Sequence, residues 1–541
     1  MRSIRRPTAP AVVMPSRLAP LALVAALAFG TAATTLGTPA LAATASGAAA
    51  SEAGGVQWLE VNGEGDVDKA FAAARTQKKP VLLYWGARWC PPCNQLKATL
   101  FNRQDFIERS RSVIAVHLDG DVPAAQKLGT RFKVRGYPTL ILFNPEGSEL
   151  TRLPGEADAS QVLQVLELGM SSGRPMRALL ADARAGKPIS AAEWRLLAFY
   201  SWDTDESALV PAAERPAVLR QLAQACPPAD TEVATRLLLK SVDDKTPAAE
   251  RPALRDRVQK LLANPAASRA QMDVLTNNAS DLVNALGAAG SPERTALVAA
   301  FDGALQRLQA DATLSRADRM TALYARVDLA RLGQPEDTLH PKLPATLLDE
   351  VRQAAHKADT EITDGYERQA VVTAAGSLLA EAGLWKESDA LLKASLAKSH
   401  SPYYLMSELG ANARKLGHKA EALGWYRQAF EKSDGPATRL QWGSSYLSAL
   451  IDLAPQDAAT IEKTALTLLD EAGHQPGAFY ERSARSLQKA GAKLQGWNQG
   501  GAHAATLKKV EARLGAVCGA LPAGDAQRVT CESVLKPAAK S

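Results

Sequence analysis

Aromatic residues make up only 5% of this 541-residue sequence, and there are only 7 histidines and 5 cysteines. These scarcities exclude several chemistries. No second Cys-x-x-Cys accompanies "WCPPC" (Trp89 to Cys93) and the histidines are scattered, so a zinc site lacks its remaining ligands. Asn94 follows Cys93 where covalent haem attachment needs histidine. The 63 basic residues are nearly matched by 57 acidic ones, mixed along the chain, for a net charge of +6. With no dense basic block, nucleic acid is not an expected partner. Nor does any apolar run reach the roughly 20 residues that a membrane-crossing helix needs.

The longest such run, "LAPLALVAALAFG" (Leu18 to Gly30), follows the basic "MRSIRR" and precedes an A-x-A site at Ala40-Leu41-Ala42. That is the layout of a signal peptide over 1–42. No cysteine follows the cleavage site, so a lipid anchor is not expected. The expectation is a chain exported to the periplasm, without stable membrane insertion, where disulfides persist.

Residues 43–55, small and polar, read as a flexible leader. From 56 to 172, short apolar runs alternate with helical spacing. "PVLLYWG", "SVIAVHLDG" and the pair within "TLILFNPEGSELTRLPG" read as strands; "DVDKAFAAARTQKK", "CNQLKATLFNRQDFIERS", "PAAQKLGTRFKV" and "ADASQVLQVLELGM" read as helices. The pattern predicts a compact α/β domain with a central mixed sheet. Beyond 173 the strand signals stop and the chain reads as all-α to its end. Within 370–436, "AGLWKESDALLKASLAKSHSP" and "LGHKAEALGWYRQAFEKSDGP" align without a gap, Gly383 falling on Gly417 and Pro402 on Pro436. The constant offset equals the tetratricopeptide period of about 34 residues. The second copy resembles that repeat, which implies helix pairs stacked into a superhelix.

Three readings compete for Cys90 and Cys93. With haem and zinc set aside, a dithiol remains, placed after a buried strand and at the start of a helix. There the helix dipole and free N–H groups favour the thiolate of the first cysteine. Pro91 and Pro92 remove two of those donors, which argues for a reducing or intermediate poise. Cys518 and Cys531 enclose a short, turn-rich segment (519–530) and are expected to form a structural disulfide. Cys226, at an expected helix end, reads as a half-buried, unreactive thiol.

Residues 56–172 resemble the thioredoxin superfamily. "KPVLLYWGARWCPPC" matches its strand leading into Trp-Cys-x-x-Cys, "VRGYPTLILF" its cis-proline segment, and 110–120 its central strand. The subtype is similar to thioredoxin-like domains of periplasmic disulfide-reducing systems. The resemblance implies that Cys90 is the exposed nucleophile and Cys93 the resolving thiol. Pro138, expected cis, faces them and leaves the backbone of Tyr137 free to pair with substrate, while Trp89 shields the pair. Thioredoxin has a buried aspartate six residues before its first cysteine; Tyr84 stands there, and His117 is the candidate to take over proton handling.

Two functions follow from this. The first is a thiol–disulfide oxidoreductase, needing no cofactor, that acts on disulfides or thiols of exported proteins. A separate membrane electron donor recharges it, and its helical repeats hold a partner or substrate. The second, by resemblance to chaperedoxins, is a periplasmic chaperone or scaffold whose superhelix binds clients and whose dithiol is accessory.

Overall fold

The computed structural model describes residues 54–153, 155, 157–205 and 209–536. The signal-peptide and nearly all of the leader expectations lie outside them. The first strand, β1 (Leu59–Glu60), is followed by α1 (Glu64–Gln77), β2 (Val81–Gly86), α2 (Pro91–Thr99), α3 (Gln104–Ser110), β3 (Ile114–Asp119) and α4 (Ala125–Phe132). A hairpin of β4 (Thr139–Phe143) and β5 (Glu149–Leu153) leads into α5 (Ala159–Ser172). The sheet order is β1-β3-β2-β4-β5. β2 runs parallel to β3 and antiparallel to β4, so the sheet is mixed.

β2 is central because all six of its residues are apolar or small, and all are buried. Alternation along the strand sends them to two cores. Leu82 and Tyr84 face Leu96, Phe106 and α5, while Val81, Leu83 and Trp85 face Phe71 of α1 and Leu128 of α4. The first core does not stop at Ser172. Met176, Trp194 and Leu196 of the following helices, and Trp202 of the turn after them, join it.

One helix read from the sequence is two. The segment after Cys93 breaks between Thr99 and Gln104. Phe101 and Phe106, about 140° apart on a continuous helix at 3.6 residues per turn, then both enter the same core, with ring centroids 5.4 Å apart.

After α5 every described element is helical. The helices Pro402–Lys415 and Pro436–Leu453 each begin on proline, at the same offset that separates the two sequence copies. Each pair in this stretch turns at a glycine of positive φ, Gly383 at 79° and Gly417 at 78°. Near the C-terminus a disulfide joins Cys518 to Cys531 with Cα atoms 5.7 Å apart, tying the helix Ala504–Ala520 to Gln527–Ser533. No described helix is long and apolar enough to cross a membrane.

Candidate active site

The end of β2 delivers Gly86, Ala87, Arg88 and Trp89 to the start of α2, where Cys90 is the N-cap. Its Sγ accepts the N–H of Cys93 at 3.2 Å. Pro91 and Pro92 occupy the first two helical positions and have no N–H to offer, so this donor is the one the first turn supplies. The pair forms a disulfide, with Cα atoms 5.2 Å apart. Ala87, Trp89 and Tyr137 pack against it, and the Tyr137–Pro138 peptide is cis.

Beneath the site Tyr84 is buried and its hydroxyl has no hydrogen-bond partner among the described residues. Burial, then the charges of Asp119 and Glu60, push its ionisation far above the ordinary range. Tyr84 therefore acts as packing, stacked on His117 with centroids 4.9 Å apart. The contacts of His117 are with other groups: its Nδ1 meets Glu60 Oε2 at 2.6 Å and its ring lies against Trp58 and Tyr84. No described hydrogen bond joins it to either cysteine.

The resemblance implied an exposed Cys90, and in this respect the structure differs. Cys90 is 2% exposed and Cys93 is fully buried. The cause is the helical region, which closes over the dithiol. Trp89 stacks on Tyr404 (5.8 Å), meets Trp442 edge-on (5.8 Å) and donates its indole N–H to Thr438 Oγ1 at 2.9 Å. Its carbonyl accepts from Gln369 Nε2 at 3.1 Å, and the carbonyl of Arg88 accepts from the His400 ring at 3.2 Å. Burial, then the nearby charges of Arg88 and Lys97, hold His400 below its ordinary value. On the flank of α2, Gln95 donates to Asp318 Oδ1 at 2.7 Å.

Two helices of this region start against the α/β domain, and neither has a side-chain cap of its own. The α/β domain supplies both. Asp121 Oδ1 accepts the N–H of Thr438 at 2.7 Å, and its Oδ2 accepts the Thr438 hydroxyl at 2.6 Å. Gln126 Oε1 accepts the N–H groups of Arg482 at 3.0 Å and Ser483 at 3.4 Å. Burial pushes the Asp121 carboxyl up, opposed by Arg482 and Thr438. Gly435, the N-cap of the first helix, has φ of +91°, and Asp121 fills the space a Cβ would need.

Sequence reasoning reached Trp89, Tyr137 and Pro138 but none of Asp121, Gln126, Gln369, Tyr404, Thr438 or Arg482. One signal was available. Tyr404 and Thr438 stand one repeat period apart, at the same place in successive helix pairs, and both touch Trp89. No described group of histidine, cysteine, aspartate and glutamate side chains could hold a metal ion.

Residues 67–169 match the family described as a thioredoxin-like domain. A thioredoxin-like protein of Synechocystis is 30% identical over 90 residues, which are 17% of this chain and 81% of that protein. The thiol:disulfide interchange protein DsbD 2 of Pseudomonas aeruginosa is 34% identical over 110 residues, covering 20% of this chain and 19% of its own length. DsbD of Pseudomonas fluorescens is 33% identical over 108 residues, 19% and 18% of the two chains. The chain thus spans about a fifth of the length of these DsbD relatives.

Proposed function

We propose, for a chain that belongs to the thioredoxin-like family through its N-terminal domain, an exported thiol–disulfide oxidoreductase that reduces or exchanges disulfides in extracytoplasmic proteins. The observation that carries this reading is the bonded Cys90–Cys93 pair at the N-terminus of α2, packed beside Trp89 and Tyr137. In the reducing direction the Cys90 thiolate attacks one sulfur of a substrate disulfide, forms a mixed disulfide and expels the other sulfur as a thiolate that takes up a proton. The Cys93 thiolate then attacks Cys90 Sγ and releases the second substrate thiol. The substrate gains two electrons and two protons, and the protein is left as the disulfide seen here. A dithiol donor must return those electrons; in this reading it is a separate membrane protein, and thiol:disulfide interchange, the activity in the DsbD relatives' name, is the chemistry it needs. The helical region, with its repeated helix pairs, holds a partner or substrate in this reading.

A second reading is favoured by one observation, the burial of Cys90 at 2% exposure. There the helical region binds clients as a chaperone or scaffold and the dithiol is accessory.

The test is an equilibrium titration of the full mature chain against glutathione or dithiothreitol, with Cys90→Ala and Cys93→Ala beside it. A reversible two-electron couple lost in both variants supports the oxidoreductase. Its absence in the wild type overturns that reading in favour of the scaffold.

A further inference from the structure

Arg482 opens the helix Glu481–Trp497, far from the dithiol in sequence, yet its side chain lies on the two rings that flank it. The guanidinium carbon is 5.2 Å from the Trp89 ring centre and 5.1 Å from that of Tyr137. Both rings pack against Cys90 and Cys93. The side chain is 12% exposed. Nη2 donates to Thr438 Oγ1 at 3.3 Å, whereas Nε and Nη1 are buried without an acceptor among the described residues. Asp121 does not satisfy them. Its oxygens are taken up by the Thr438 N–H and hydroxyl, and it stands 3.5 Å from Arg482.

Arg482 pairs with Asp121 through Nη2 at 3.5 Å, yet its Nε and Nη1 stay buried without an acceptor among the described residues, which is costly. The structure holds the dithiol oxidised, a state that carries no charge. Reduction by a dithiol donor, itself oxidised to a disulfide, breaks the S–S bond and delivers two electrons and two protons; one proton goes to Cys93 and the other to solvent, leaving the Cys90 sulfur as the anion. That anion has few partners on its own helix: Pro91 and Pro92 carry no N–H, and the Cys93 N–H is the one donor the first turn supplies to Cys90 Sγ.

We infer that Arg482 is a positioning residue for the dithiol, a cation brought by the helical region that stabilises the Cys90 thiolate of the reduced protein. The inference rests on the oxidoreductase reading and deepens it: the redox centre is composite, with its thiols on one region and its counter-charge on the other. The other charged and titratable groups packed around this end of the sheet include Arg88, Lys97, Asp119, Asp121, Tyr84 and Tyr137, with Tyr366, His400, Tyr403, Tyr404, Glu408 and Asp434 of the helical region. Among them, only Arg482 lies over both the Trp89 and Tyr137 rings.

The test follows thiolate absorbance at 240 nm against pH in the reduced, full mature chain, taken as the difference from Cys90→Ser. The wild-type midpoint is expected below about 8.5, the ordinary cysteine value. Arg482→Met and Arg482→Gln are expected to raise it by about one unit, roughly tenfold less thiolate at a pH under the midpoint. Arg482→Lys, which keeps the charge, is expected to stay near wild type, which a merely structural role does not predict. A wild-type midpoint at or above about 8.5 overturns the inference, as does an unchanged midpoint in either neutral variant. Should neither neutral variant fold, the wild-type midpoint decides. Titration against glutathione separates the two failures. No reversible couple sinks the oxidoreductase reading, while a couple with a midpoint indifferent to Arg482 sinks only this inference.

Discussion

Asp121 caps a helix that begins on the far side of the chain: its Oδ1 accepts the N–H of Thr438, 317 residues later, at 2.7 Å. The carboxylate does for the helix Pro436–Leu453 what Gly435 cannot, since glycine has no side chain to offer. The Thr438 hydroxyl in turn receives the indole N–H of Trp89, so the helix cap and the cover over Cys90 share one residue.

Replacing this cap has a defined effect. Asp121→Ala removes the acceptor and is expected to cost about 1 kcal/mol, read as a lowered urea midpoint with unchanged slope. Asp121→Asn keeps an acceptor and costs less. The same alanine variant is expected to speed reduction of the Cys90–Cys93 disulfide by a phosphine reductant. An unchanged rate means the cap does not hold the cover down.

Gly435→Ala meets two obstacles at once, a φ of +91° and the Asp121 side chain standing where the methyl must go. The expected loss is about 1–3 kcal/mol. Gly515→Ala is the control. That residue lies within the helix Ala504–Ala520, and a methyl added there meets no atom within 4 Å, so the change is expected to stabilise by roughly 0.5–1 kcal/mol. Thermal unfolding of the two variants beside wild type checks both signs.

Acid is expected to loosen the cover through His400. Its pKa in the folded chain is depressed below 6.5 by burial and by Arg88 and Lys97. A histidine held neutral by the fold contributes stability that is present above its unfolded value and lost as pH falls below it. The urea midpoint of wild type should therefore drop more between pH 7.5 and 5.5 than that of His400→Gln. Equal drops would assign the acid response to other groups.

Cys226 is expected to be inert. It is 7% exposed, and burial, with the charge of Asp230 second, pushes its thiol up to about 11. Intact mass after iodoacetamide at pH 8 should show no added group on the native oxidised chain. One is expected in denaturant. Labelling of the native protein would place the thiol in a looser setting than the one described.

Cys518→Ala is expected to cost roughly 3 kcal/mol, since the bond closes a short loop, and to free the helix Gln527–Ser533 from its neighbour. Hydrogen exchange confined to the C-terminal residues would report that release. Equal protection in both proteins would mean that packing of Val534 and Leu535 already suffices.

What could be read from the sequence was local. "VLLYWG" is an uninterrupted apolar run and became the central strand; Trp-Cys-Pro-Pro-Cys lies where strand passes into helix, and its cysteines are paired there. The break between α2 and α3 left no comparable mark, because Phe101 and Phe106 each satisfy helical spacing with different neighbours and only the core decides between them. The burial of Cys90 was harder still. Its cover is assembled from Gln369, Tyr404, Thr438 and Arg482, residues whose local pattern is that of ordinary helix faces. Asp121 and Gln126 look like loop and helix polar residues until the helix ends they cap are in place.

A cover built from these contacts binds the dithiol to a thermodynamic cycle. By whatever factor the closed arrangement favours one redox state over the other, that redox state favours closure by the same factor. Each tenfold of such preference moves the two-electron potential by about 30 mV. Contacts of Thr438 and Arg482 with Trp89 and Tyr137 that are stronger in one redox state than in the other shift the midpoint from outside the α/β domain. To the extent that closure prefers one redox state, anything that pulls the helices away shifts the potential as it does so.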